Sequence, residues 1–159
     1  MKNKKNIYLI GFIVLLIDQL VKLIIKNALS LNQEVIVIKN FFSIHYLQNE
    51  GAAFSIFQNK TLFLILTALI CLVILIIYIQ KENNLNKIST ISLGLLLAGI
   101  SGNLIDRLIY KKVIDFLSFT IFNYDFAVFN IADIAITTGA LLLLINCIKE
   151  ELTSKKWNK

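Results

Sequence analysis

Long apolar runs alternate along this chain with short polar breaks, and each run has its own period. The first, Ile7–Ile17, continues past Asp18 and Lys22 at helical spacing, so a helix over about 6–27 with one polar stripe is expected to cross a bilayer. The second, Thr61–Ile79, carries no charge and is the clearest span, expected over about 61–80. The third, about 88–108, places Gly94, Ala98 and Gly102 at i, i+4 and i+8, where small residues let helix backbones approach closely in lipid. The fourth is expected over about 126–148. Residues from about 33 to 58 break the helical pattern. Here EVIVI and FFSIHY are β-branched or aromatic runs parted at Lys39–Asn40, and a turn follows at Asn49-Glu50-Gly51. A small sheet is expected there, at the membrane surface, because open sheet edges do not survive in lipid.

Composition sharpens this picture. The chain is 57% apolar, against about 45–50% for soluble domains even with glycine counted. One membrane domain over residues 1–159, mainly α, is therefore expected. The net charge of +6 does not indicate a nucleic-acid partner, because the lysines sit in short clusters at segment ends. Lys2, Lys4, Lys5, Lys81, Lys87, Lys149, Lys155, Lys156 and Lys159 fall on one side of the expected topology. Lys39, Lys60, Lys111 and Lys112 fall on the other, with Lys26 at a helix end. By the positive-inside rule both termini face the cytoplasm and the sheet faces outward. The basic start resembles a secretory signal peptide, but no small-residue cleavage pattern follows. Cys71 and Cys147 lie inside apolar runs, with no metal spacing and no disulfide framework. His45 is the single histidine, which excludes a His-rich metal site and any Ser–His–Asp triad that does not use it. No metal and no cofactor are expected.

Ionisable residues inside spans cost a few kcal/mol each, so they mark either function or a structural pairing. Asp18 and Lys22 form an i, i+4 pair that neutralises itself or meets substrate. Asn103, Asp106 and Arg107 share one face near the outer end of the third helix. A local Asp106–Arg107 interaction would anchor that end, and the guanidinium could also serve a peptide carbonyl. Asn130, Asp133 and Thr137 share a face of the fourth helix, and Asp115 precedes the apolar run Phe116-Leu-Ser-Phe on an outer segment. Two converging carboxylates, one ionised and one protonated, are the working parts of an aspartic peptidase. A proton relay or transporter uses the same residue types, and a non-catalytic scaffold is a third class. A relay would spread its charges through the bilayer depth, whereas here most lie toward one half.

Five motifs, in order, resemble those of the lipoprotein signal peptidase (signal peptidase II) family. They are Asp18-Gln19-x-x-Lys22, Gln48-Asn49-Glu50-Gly51-Ala52-Ala53-Phe54, Gly99-x-x-Gly102-Asn103-x-x-Asp106-Arg107, Val113-Ile114-Asp115-Phe116 and Phe129-Asn130-Ile131-Ala132-Asp133. One departure is Ala98–Gly99, where a glycine pair often opens the third motif. The resemblance implies an intramembrane aspartic endopeptidase of the bacterial cytoplasmic membrane. It would cleave diacylglyceryl-modified prolipoproteins just before the lipidated cysteine, with membrane lipid around it, and globomycin-like inhibitors would block it. Asp115 and Asp133 fall on the catalytic positions. Asn49, Asn103, Arg107, Asn130 and Gly99 fall on substrate-site positions, and Asp18 and Lys22 on supporting ones. The implied fold has four transmembrane helices, a small extracytoplasmic sheet after the first, and a short surface helix before the fourth.

Overall fold

The computed structural model describes residues 2–51, 57–122 and 124–157. Four helices are long and apolar enough to cross a membrane: α1 (Lys2–Ala28), α2 (Thr61–Lys81), α3 (Lys87–Tyr110) and α4 (Ile131–Trp157). They carry a four-stranded antiparallel sheet in the order β1 (Glu34–Ile38), β2 (Phe42–Asn49), β3 (Val113–Ile121) and β4 (Tyr124–Asp125). The residues Ala52, Ala53 and Phe54 of the second motif lie outside the described residues.

Helix α3 is the hub of the bundle and packs against α1, α2 and α4. Its small residues make this possible. A methyl group on Gly94 would lie 2.8 Å from Ile10 Cγ2 of α1, and one on Gly102 would lie 3.3 Å from Ala132 Cβ of α4. On the facing helix, a methyl on Gly139 would lie 2.9 Å from the Ser92 carbonyl. Asn86 caps the start of α3 by accepting from the Ser89 N–H at 2.9 Å. Lys111, at φ 62°, ends the helix in the left-handed conformation and turns the chain straight into β3.

Two expectations change. The segment before α4 is not a short surface helix: residues 113–121 form strand β3, paired to β2 from Phe42↔Phe119 to Asn49↔Val113. Its Val, Ile, Phe and Thr content suits a pleated surface, and β2 would otherwise present an open edge. The sheet expected over 33–58 thus takes half of its strands from the chain beyond α3. Helix α4 also starts at Ile131 rather than near residue 126. Asn130 and Asp133 form a reciprocal cap there. The Asp133 N–H donates to Asn130 Oδ1 at 2.9 Å, and the Asn130 N–H donates to Asp133 Oδ2 at 3.1 Å. Residues before Asn130 run alongside β3 instead, with the Leu117 N–H donating to the Phe129 carbonyl at 2.8 Å and the Phe129 N–H returning to Leu117 at 3.1 Å.

Candidate active site

Strand periodicity aims Asp115 at the site. Ile114 and Phe116 on one face of β3 pack with Tyr46 against Val21, Ile25 and Ile131. Val113 and Asp115, on the opposite face, line a cavity of about 540 Å³. From α4 the same cavity receives Asp133 and Thr137, and from α3 it receives Asn103 and Arg107.

Asn130, fully buried, links the two carboxylates. Its side-chain amide donates to Asp115 Oδ1 at 2.6 Å, while its backbone N–H and side-chain oxygen hold Asp133 in the cap. Asn103 adds a bond from Nδ2 to Asp133 Oδ1 at 2.7 Å, and Asn49 one from Nδ2 to Asp115 Oδ2 at 3.0 Å. Each aspartate therefore accepts on both oxygens. Burial, then the nearby Asp133 charge, pushes the Asp115 carboxyl up to about 7 from its usual 3.8, against the opposing amide bonds from Asn49 and Asn130.

Beneath the aspartates lies a buried ion cluster. Lys22 Nζ sits 2.9 Å from Asp18 Oδ2 and 2.9 Å from Asp106 Oδ2, with all three residues 1% exposed. The same ammonium donates to Asn103 Oδ1 at 3.1 Å, tying the cluster to the aspartate network. Asp18 also accepts from the Ala132 N–H at 2.8 Å, at the positive end of α4, and Asp106 accepts from the Ile114 N–H at 3.1 Å. Four elements thus meet on one charge cluster, which makes Asp18–Lys22 a structural pair extended by Asp106. Among the described residues no buried side-chain nitrogen or oxygen lacks a hydrogen-bond partner.

Arg107 does not anchor α3 through Asp106. It donates from Nη2 to the Gly51 carbonyl at 2.9 Å and from Nη1 to the Asn103 carbonyl at 3.3 Å, so it holds the turn that follows Asn49. The Gly51 N–H donates back to Asn49 Oδ1 at 2.9 Å. Gly99 is not among the cavity-lining residues. It lies where α3 meets α4, and a methyl there would press on the Ala132 carbonyl and lie 2.6 Å from Ile136. His45 is a half-buried β2 residue paired with Glu34.

Sequence reasoning gave no role to Gln19 or to the segment 126–128. Gln19 Nε2 bridges Asp18 Oδ2 and Asp106 Oδ1, each at 3.1 Å; its place beside Asp18 in the first motif was the available signal. Phe126, Ala127 and Val128 wall the cavity beside Asp115. The Asn130–Asp133 spacing is itself a helix-start signature that would have placed this segment outside α4.

Comparison with known proteins identifies the family. The family model described as "Signal peptidase (SPase) II" matches residues 10–149. The lipoprotein signal peptidase of Clostridium tetani is 42% identical over 138 residues, covering 86% of this chain and 88% of that protein. That of Staphylococcus haemolyticus is 36% identical over 152 residues, covering 92% and 96%. A solved bacterial membrane enzyme superposes with a TM-score of 0.84 at 36% identity, covering 90% of this chain and 87% of the other. A second superposes with a TM-score of 0.80 at 36% identity, covering 89% and 91%. The four apolar helices and these neighbours make this a multi-pass membrane protein. With a family model matching residues 10–149 and a relative 42% identical over 86% of the chain, the chain belongs to the signal peptidase II family.

Proposed function

We propose that the chain is an aspartic endopeptidase that removes the signal peptide from diacylglyceryl-modified prolipoproteins, cutting just before the lipidated cysteine. The observation that carries this reading is the bonding of Asp115 and Asp133 to one buried asparagine, Asn130, at the wall of one cavity. That cavity is bounded by Ile134, Ile136 and Thr138 of α4, so acyl chains can enter it from the bilayer.

In this mechanism a water lies between the carboxylates. Asp133, held by the Asn130 N–H and the Asn103 amide, is the base that takes its proton. Asp115, whose burial raises its pKa to about 7 and so keeps a large protonated fraction near neutral pH, donates a hydrogen bond to the scissile carbonyl. The water oxygen attacks the carbonyl carbon, and the proton taken by the base passes to the leaving amine. Asn49 and Arg107 fix the loop at Gly51 beside the site, and Asp18 and Lys22 act only as supports. The sheet and cavity face the extracytoplasmic side and both termini the cytoplasm, in keeping with the lysine distribution. Globomycin-like inhibitors would occupy the same cavity.

The test is incubation of the purified protein with a diacylglyceryl-modified prolipoprotein and mass analysis of the products. The expected product begins at the lipidated cysteine. Asp115→Asn and Asp133→Asn should each lower turnover at least about a thousandfold, in the upper range for a positioned acid or base. Near-normal turnover in either folded variant overturns the reading.

A further inference from the structure

A second cavity of about 630 Å³ shares the 126–128 segment with the first. Asn49, Asp115 and residues 126–128 line both cavities, so the proposed catalytic carboxyl stands at their junction. The linings differ in kind. The first runs down α4. The second is built outside the membrane spans, with Asn32, Gln48, Glu50, Gln58 and Lys112 among its walls. At its wall Lys112 Nζ and Glu50 Oε1 form an ion pair at 3.0 Å, with side chains 37% and 41% exposed.

Resting on the peptidase reading above, we propose that this cavity, the more polar of the two, takes the polypeptide on the carboxyl side of the scissile bond, and that the Glu50–Lys112 pair reads its charge. The division of the substrate follows from its chemistry. The signal peptide and acyl chains are apolar and match the cavity that opens along α4. The residues after the modified cysteine belong to an aqueous protein and match the polar one, whose volume suits a short stretch of chain. An ion pair this exposed contributes little to stability, so an incoming charged side chain can exchange partners with it. An acidic residue would then pair with Lys112 and a basic one with Glu50. The paired state accepts either, and loss of one partner leaves a preference.

The experiment compares the wild type with Lys112→Gln, Glu50→Gln and, as a control outside the cavity lining, Lys111→Gln. Substrates are diacylglyceryl-modified prolipopeptides with Glu, Gln or Lys at the second residue after the cysteine. The readout is the ratio of kcat/KM for the Glu and Lys substrates within each enzyme, which is insensitive to partial loss of folded protein. Lys112→Gln should lower the ratio about fivefold and Glu50→Gln should raise it about fivefold, equivalent to ~1 kcal/mol. Both shifts should shrink in high salt, and Lys111→Gln should leave the ratio at the wild-type value. Unchanged ratios in enzymes that still cut the Gln substrate would overturn the charge reading and leave the peptidase reading standing. A wild type that cuts none of the three would overturn both.

Discussion

Asp115 gives the molecule one clear pH dependence. Its folded-state pKa of about 7 lies above the ordinary 3.8 because burial and the Asp133 charge disfavour its anion. The folded protein therefore keeps a proton that the unfolded chain releases, and stability must fall as pH rises from about 4 to about 7, levelling off above. A shift of 7 − 3.8 = 3.2 units corresponds to roughly 4 kcal/mol at ~1.36 kcal/mol per unit. Thermal unfolding in detergent from pH 5 to 8 should show the midpoint dropping in the wild type and a flatter profile in Asp115→Asn. A midpoint that rises over this interval would contradict the burial of an acid at this position. The candidate acid and its partner were legible in the sequence through their motifs. The buried asparagine was legible as a motif residue but not as the bridge between carboxylates, because a bridge between β3 and α4 requires the strand register that aims Asp115 inward.

Helices α1, α2 and α3 are written plainly in the hydropathy pattern, since a span must be continuously apolar whatever it packs against. The strands are less legible. β1 and β2 show as β-branched and aromatic runs, but β3 finds its place only by pairing with β2 across the intervening α2 and α3, and local composition does not encode that distant partner. The close contact of α3 with α4 shows how element packing reaches the site. Gly99 lies one turn before Asn103, which bonds Asp133 across this contact. Gly99→Ala should force the helices apart, cost about 1–3 kcal/mol and lower kcat as the Asn103–Asp133 bond stretches. Gly11→Ala, where the nearest atom is the end of the Leu97 side chain at 3.1 Å, should be milder in both respects. Thermal shifts and cleavage rates measured side by side test the contrast; equal effects would dissociate the α3–α4 contact from the site.

At the scale of the whole molecule, the Lys22 cluster joins α1, α3, β3 and the start of α4. Lys22→Met should leave Asp18 and Asp106 buried without their cation and destabilise the protein by about 3–5 kcal/mol, whereas Lys111→Met on the surface should change the unfolding midpoint little. The cluster also bears on biogenesis. α1 carries its acid and base as a neutral i, i+4 couple and can enter lipid unaided. The Asp106 carboxylate of α3 has its counter-ion on α1, so α3 is made ready for the bilayer by a helix synthesised before it. The order of the helices along the chain thus places the counter-ion of Asp106 in the membrane before α3 arrives.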